Sequence, residues 1–347
     1  MSKPNCRLQV EKLCEKISSN RLIIQGAGGN VSWKDDLHLW IKLSGTWLSE
    51  ATKKNIFTSI LLSDLCDLIK KDQFSLTVNM IHLEEGRPSI EVMVHALIKD
   101  KFVFHLHMPH VVAKLINDPM ELKFNLSQNG LNAQIIPYKK PGDDLAIAVK
   151  KTLEDYPNTQ ILLLMNHGVI IYSDYINVIE RHIKLLNTIC EIPYRRILPN
   201  TLQLSTVTNI DNEYKLLSDE ILPELVTEAW FDNLEKLWAI GPDHVVFLGP
   251  YPHIFNSIDD FYKKIEENNK IEENNKALLI FIKNKGIYIH KKLFLNIHLI
   301  QLYYFYDVIT RLKDIKNSPV ISKKEIMKLV NWEAEKYRKE TNITRNC

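Results

Sequence analysis

The sequence predicts an α/β protein: a sheet with helices packed on it, followed by a smaller α/β lobe. Three observations point there. From Arg7 to Cys190, runs with strand periodicity alternate with runs at helical spacing. A second alternation follows an irregular polar stretch around 195–225. The chain has 347 residues, more than one domain of about 150 residues accommodates. A composition of 45% hydrophobic and 25% charged residues supplies a core and excludes large-scale disorder.

The elements follow in order. In RLQVEKLCEKIS (7–18), Leu8, Val10, Leu13, Cys14 and Ile17 fall at helical spacing. LIIQGAGGNVSW then reads as a short strand, a glycine turn and a second extended run, and LHLWIKLSG (37–45) alternates like a strand. SDLCDLIKK (63–71) reads as a helix capped by Ser63, and PSIEVMVHALIKD (88–100) as a helix opened by Pro88. KFVFHLH (101–107) is a dense strand, QIIPY another, and 141–156 a helix. QILLLMNHGVIIY (160–172) makes two strand segments pivoting on Asn166-His167-Gly168, and 174–190 is a helix. In the second lobe HVVFLG reads as extended, and ALLIFIKNKGIYIHK as a hairpin turning at Asn284-Lys285-Gly286. The repeat KIEENNKIEENN (264–275) carries no apolar stripe and reads as a solvated insertion. Two amphipathic segments, 293–312 and 322–339, end the chain. The expected division is 1–205 and 206–347.

Several classes are disfavoured. Lys+Arg 44 against Asp+Glu 42 leaves +2, too balanced for a dedicated nucleic-acid binder. Five widely spaced cysteines without a CxxC pair argue against a disulfide framework or a cysteine zinc site. MSKPNCRLQVEKLC lacks an apolar signal core. The longest apolar stretch, Leu293 to Ile309, is broken by Asn296, His298, Gln301 and Asp307, so no membrane span is expected. The expected compartment is the cytoplasm.

Three of the twelve histidines stand out. His105 and His107 form an HxH pair whose side chains share one face of a strand, about 6.6 Å apart along the chain. His167 sits at a sharp turn where Gly168 relieves crowding. Three imidazoles with an open position suit a catalytic divalent metal, although an HxH pair alone is as often structural. Glu91, in RPSIE, stands in the first turn of the expected helix, either as a partner for the helix dipole or as a carboxylate that moves protons. His95, one turn on, reads as a supporting or packing residue. Gly26-Ala27-Gly28-Gly29-Asn30 fits a turn whose amides could meet an anion, and Ser44-Gly45 offers a second hydroxyl and amide.

Together, GAGGNVS, LSG, RPSIE, HLH and NHG occur in the order and spacing of the class II aldolase/adducin family, which the chain resembles over about residues 7–195. The family includes fuculose- and rhamnulose-phosphate aldolases, ribulose-phosphate 4-epimerase and methylthioribulose-phosphate dehydratase. LHLWIKLSGTWLSEA, PDHVVFLGP and NWEAEKYR resemble a longer bacterial branch with a C-terminal extension. The resemblance implies a three-layer α/β/α domain with a mainly antiparallel sheet. It implies His105, His107 and His167 as ligands of zinc or another divalent metal, and Glu91 as the carboxylate that takes a proton from a ketone donor. It implies substrate contacts from Gly28, Gly29, Asn30, Ser44, Gly45 and Ser89, and a homo-oligomer, a tetramer in the family. The implied reaction joins or cleaves dihydroxyacetone or its phosphate and an aldehyde through a zinc-stabilised enediolate, in carbohydrate or sugar-nucleotide metabolism. An epimerase, dehydratase or decarboxylase on the same metal site is the alternative. An adducin-like scaffold is disfavoured because all three histidines and Glu91 are present.

The chain also departs from the family pattern. The glycine turn has Ala27 and Gly28 where hydroxyls are usual, and Ile90 replaces the second serine before the glutamate. Fewer hydroxyl donors favour a small, unphosphorylated donor, with any phosphate on the aldehyde partner. Tyr138, after IIP, is the candidate catalytic acid, with core packing an equal reading. From Arg311 to Cys347, ten basic and five acidic residues leave a local +5. That excess reads first as a solvated face, and second as a site for phosphate or nucleotide groups of a larger acceptor.

Overall fold

The computed structural model of the protein describes residues 6–75, 86–193, 208–210, 212–267 and 277–345. The expected boundary at 205/206 and residues 268–275 of the repeat lie outside them. The described residues divide into two compact units, 6–193 with 331–345, and 208–330.

In the first unit, α1 (Cys6–Ser18), β1 (Asn30–Lys34), β2 (His38–Lys42), β3 (Phe57–Leu61), α2 (Leu62–Lys70), α3 (Val92–Leu97) and β4 (Phe102–Leu106) come first. Then follow α4 (Pro109–Asn117), α5 (Pro119–Gln128), β5 (Ala133–Ile136), α6 (Asp143–Asp155), β6 (Ile161–Leu164), β7 (Gly168–Ser173) and α7 (Ile176–Ile189). The seven strands form one sheet in the order β3-β2-β1-β4-β7-β6-β5. Every pairing is antiparallel except β5 with β6.

Strand alternation sends side chains into two cores. Phe102, Phe104, Leu106, Ile161, Leu163, Val169 and Ile171 meet α1, α4, α5 and α7 on one face. Val103, Leu162, Leu164, Ile170 and Tyr172 meet α2, α3 and α6 on the other. This is the three-layer α/β/α arrangement expected. His105 shares the parity of Val103, so its side chain faces the layer that contains α3.

In the second unit come β8 (Tyr214–Leu216), α8 (Glu228–Phe231), α9 (Leu234–Leu237), α10 (Pro242–Leu248), β9 (Ile254–Phe255) and α11 (Ile258–Glu267). They are followed by β10 (Leu279–Ile282), β11 (Gly286–His290), α12 (Asn296–Ile309) and α13 (Lys323–Val330). Its sheet has the order β8-β11-β10-β9. The chain ends in α14 (Glu333–Arg345), which belongs to the first unit rather than to the extension. Among the described residues no helix is long and apolar enough to cross a membrane.

Four local expectations change. Residues 22–25 form no strand, and 21–23 make a turn: the Asn20 carbonyl accepts from the Ile23 amide at 2.9 Å and its side-chain oxygen from the Leu22 amide at 2.9 Å. Such a local side-chain turn overrides β propensity. HVVFLG is helical, within α10. Pro242 opens that helix, and complete burial on all sides erases the periodicity that separates helix from strand. α2 starts at Leu62, so Ser63 lies inside it and not at its cap. Helix α3 starts only at Val92, because Pro88 is held in a bridge to Leu43, an extension of β2. Glu91 is therefore the residue that precedes the helix and not part of its first turn.

Candidate metal centre and its cavity

β4 delivers His105 near its end and His107 just beyond it, and the β6–β7 turn delivers His167. Two close backbone approaches allow this. A Cβ at Gly29 would stand 2.6 Å from the His105 carbonyl oxygen, and one at Gly168 only 2.3 Å from that of Leu106. Both positions must lack a side chain if the glycine turn and the β6–β7 turn are to sit against β4. The residue in the left-handed region at the β6–β7 turn is Asn166, at φ 55°.

The three side chains are almost fully buried, at 1%, 4% and 3% exposure for His105, His107 and His167. His105 Nε2 lies 2.9 Å from His107 Nε2 and 3.2 Å from His167 Nε2. His105 Nδ1 faces the Val169 carbonyl at 3.2 Å. That carbonyl can only accept, so it fixes the proton on Nδ1 and leaves a lone pair on Nε2. One N–H cannot serve three converging ring nitrogens, whereas a cation can. The spacing is close to the ~3.3 Å set by bonds of about 2.0–2.1 Å to a single tetrahedral centre. The cluster thus fits a divalent metal by donor type, tautomer and distance.

Glu91, 4% exposed, completes the cluster. Its Oε2 lies 3.5 Å from His105 Nε2 and its Oε1 3.8 Å from His167 Nε2. A directional chain holds it. Ser32 Oγ meets His95 Nδ1 at 2.6 Å, His95 Nε2 meets Asn30 Oδ1, and Asn30 Nδ2 donates to Glu91 Oε2 at 2.6 Å. The Asn30 amide can donate to Glu91 only through Nδ2, so its Oδ1 accepts from His95 Nε2–H, and His95 Nδ1 accepts from the Ser32 hydroxyl. Burial first, then Lys34 and His105, holds His95 far below the usual imidazole pKa, which keeps it neutral and in that tautomer. Glu91 Oε1 has no hydrogen-bond partner among the described residues. One carboxylate oxygen is anchored and the other is available to a proton.

Asn30, Glu91, His107 and His167 line a cavity that opens to solvent. Residues 9–194, more than half of the chain, match the family described as Class II Aldolase and Adducin N-terminal domain. The chain belongs to that family. A curated relative, the "Uncharacterized oxidoreductase YuxG" of Bacillus subtilis, is 27% identical over 275 residues. The match takes in 66% of this chain and 39% of the relative, so the chain spans well under half the length of that protein. Among solved structures, the N-terminal class II aldolase domain of a conserved Thermoplasma acidophilum protein is similar over 55% of this chain and 94% of that one, at 23% identity and TM-score 0.46. The l-fuculose-1-phosphate aldolase of Thermus thermophilus is similar over 53% and 90%, at 16% identity and TM-score 0.37.

Within this class II aldolase fold, Gly29, Asn30, Ser44, Gly45, Ser89, Glu91, His107 and His167 line the cavity, with His105 buried beside them. Gly28 closes the glycine turn through its amide to the Gln25 carbonyl at 2.9 Å and is not among the lining residues. Tyr138 stands on the loop between β5 and α6 and does not line the cavity either. Lys42 and Arg338 also line it, and sequence reasoning passed over both. The signal for Lys42 was a lysine inside an apolar strand, in WIKLSG. The signal for Arg338 was NWEAEKYR, noticed as a motif but assigned to the extension.

Proposed function

We propose that this chain is a divalent-metal-dependent aldolase, with zinc the expected ion, which joins or cleaves a small ketone donor and an aldehyde. The donor is dihydroxyacetone or its phosphate. The observation that carries the reading is the convergence of three histidine Nε2 atoms beside a carboxylate with one oxygen anchored and one open.

Bound by His105, His107 and His167, a divalent cation would supply Lewis acidity toward the donor's oxygens. Glu91 Oε1 takes the proton from the carbon next to the ketone. The C–H electron pair becomes the carbon–carbon π bond of an enediolate, and the carbonyl π pair moves to oxygen. That carbon then attacks the aldehyde: the new carbon–carbon bond forms, the aldehyde's carbonyl π pair moves to its oxygen, that oxygen takes a proton from solvent, and Glu91 returns its own proton to solvent, so the carboxylate is restored. Asn30 keeps the carboxylate aimed throughout, and His95 keeps the Asn30 amide from flipping.

Metal analysis of the purified protein, followed by proton NMR in heavy water with dihydroxyacetone and with its phosphate, tests this. Exchange at the hydroxymethyl carbon is expected, to be lost on chelation and in Glu91→Gln. A protein without stoichiometric divalent metal, or without exchange on either ketone, would overturn it. Exchange that yields no aldol product with short aldehydes would move the reading to an epimerase, dehydratase or decarboxylase.

A further inference from the structure

The geometry points to Trp332 as a positioning residue for Glu91: the tryptophan just ahead of α14 presses the β5–α6 loop onto the segment that carries Glu91, and α14 clasps the cavity wall around them. What Glu91 does there rests on the aldolase reading; the packing holds whatever the reaction.

Three separated segments contribute to the cavity lining: Ser44 and Gly45 after β2, Ser89 to Glu91 ahead of α3, and Pro141 between β5 and α6. None of these residues lies in a strand or a helix. Hydrogen bonds tie the first segment to the second, since the Ser44 amide donates to the Arg87 carbonyl at 2.8 Å and the Ser89 amide to the Lys42 carbonyl at 2.9 Å. The third is held by packing. Gly142 is where it meets both Trp332 and the residue before Glu91. A Cβ there would stand 2.7 Å from Trp332 Cη2 and 3.6 Å from the Ile90 carbonyl oxygen. Gly142 has φ 88°, so backbone and indole ring together exclude a side chain at this contact. Two residues earlier, Lys140 Nζ lies 3.6 Å from the centre of the Trp332 ring, a cation–π contact that grips the same loop.

Trp332 is rooted in the helix it precedes. Its carbonyl accepts from the Glu335 and Lys336 amides, each at 3.1 Å. Farther along α14, the Arg87 guanidinium stacks 4.4 Å from the centre of the Tyr337 ring. Thr341 abuts Gly45, where a Cβ would stand 2.9 Å from it, and Trp47 Nε1 donates to Oδ1 of the fully buried Asn342 at 2.7 Å. One helix and the residue ahead of it thus reach all three segments. The NWEAEKYR stretch singled out in the sequence supplies Trp332 and Tyr337 for this clasp. The histidines are delivered differently, by β4 and by the β6–β7 turn, whose ladder hydrogen bonds hold them. Loosening Trp332 should therefore move the carboxylate and leave the metal-ligand candidates in place, and a shift of about 1 Å in a reacting group can cost about 10²-fold in rate.

The test compares full-length, metal-loaded wild type with Trp332→Phe, Trp332→Ala, Gly142→Ala and the double variant. Metal content, thermal unfolding, dihydroxyacetone enolisation kinetics and amide hydrogen exchange by mass spectrometry are read for each. Trp332→Ala is expected to lower kcat by at least about tenfold, with KM within about threefold and metal content unchanged. Trp332→Phe keeps a ring against Gly142 and should recover most of that loss. Amide exchange in Trp332→Ala should quicken at 87–92 and 139–143 and stay as in wild type at 103–107 and 161–168. The double variant should lose less than the product of the two single losses, because removing the indole makes room for the added Cβ. If Trp332→Ala does not fold, Trp332→Leu carries the same expectations. Wild-type amide protection in a folded Trp332→Ala would overturn the inference, as would losses that multiply independently. A fall in kcat matched by a loss of metal would overturn it too, reducing Trp332 to a structural role. Quickened exchange confined to the two stretches, with no ketone enolised by wild type, would uphold the clasp and sink the aldolase reading alone.

Discussion

The two units contain the same hairpin turn twice. In the first, β6 and β7 are joined through Met165-Asn166-His167; in the second, β10 and β11 are joined through Lys283-Asn284-Lys285. Each asparagine sits at φ 55°. Leu164 pairs with Gly168 and Ile282 with Gly286. The His167 amide donates to Leu164 at 3.1 Å, and the Lys285 amide to Ile282 at 3.0 Å. Each closing glycine also admits a neighbouring strand, since a Cβ would strike Leu106 of β4 in one case and Leu216 of β8 in the other. The difference lies in the neighbour. β4 brings an HxH pair against the first turn, and His167 is buried among ring nitrogens. Opposite the second turn β8 offers Tyr214, Lys215 and Leu216, and Lys285 is exposed. The turn positions a side chain; the strand it packs against decides whether that side chain has chemistry to do.

The largest expected effect comes from exchanging the turn residues. His167→Lys keeps a residue type that this turn geometry accepts but removes a nitrogen donor and adds a charge among the rings. Stoichiometric metal should be lost, and ketone enolisation should fall by at least about 10³-fold, the scale of several kcal/mol of lost charge stabilisation. The reciprocal Lys285→His should gain no metal, because the strand packed against that turn offers Tyr214, Lys215 and Leu216 and no histidine. Elemental analysis of both variants checks the pair, and metal retained by His167→Lys would break the comparison.

A smaller effect is expected one layer out. Asn30→Ala removes the donor that anchors Glu91 Oε2 while leaving all three histidines in place. Loss of such a supporting hydrogen bond typically costs about 10–100-fold. The fall should appear in kcat with metal content unchanged; a protein that loses its metal instead would place Asn30 in metal retention.

Much of this centre was legible in the sequence, and the reasons are physical. An HxH on a strand and an N-H-G turn each declare their geometry within a few residues, so His105, His107 and His167 could be named before any coordinates. Their strands alternate cleanly between two cores, which made the three layers readable. Arg338 could not be read in this way, because it reaches the cavity through tertiary contacts of α14, such as those of Gly45 with Thr341 and of Trp47 with Asn342. Helix α10 was read as extended because Val245, Val246 and Phe247 favour strands locally and burial on every side hides the helical period. Glu91 lies beside the histidines, but its setting was misplaced by a turn, since the Leu43–Pro88 bridge delays the start of α3.

A buried histidine need not serve a metal. In the second unit His244 is buried outside the histidine cluster found among the described residues: its ring stacks on Phe305 at 4.6 Å and meets Trp238 edge-on at 4.2 Å. Burial pushes its pKa down to about 3. The unfolded chain takes up a proton near pH 6.5, and the folded chain does not. Its contribution to stability is therefore complete above pH 6.5 and is lost as the pH falls from 6.5 toward 3. Between pH 7 and 5 this amounts to about 2 kcal/mol. Urea unfolding followed by tryptophan fluorescence should show that loss for wild type. In His244→Phe, which keeps the aromatic stack but cannot titrate, the pH dependence should be shallower by the same amount. An unchanged slope would mean that the buried ring has another means of accommodating a proton.

The finest distinction lies in the two asparagines. Replacing either with glycine removes left-handed strain and adds freedom to the unfolded chain, terms of about 0.5–1 kcal/mol that oppose each other. At Asn284, which is exposed, nothing else changes, so stability should stay within about 0.5 kcal/mol and activity should be untouched. At Asn166 the same backbone exchange also deletes a side chain that is only 4% exposed, next to His167. There the turn should loosen around a metal-ligand candidate, and metal affinity should weaken several-fold even where the melting temperature barely moves. Chelator competition on the two variants reads this directly. If Asn166→Gly proves as silent as Asn284→Gly, the first turn holds its histidine through backbone alone, and the packing of Gly168 against β4 is left as the feature that aims it.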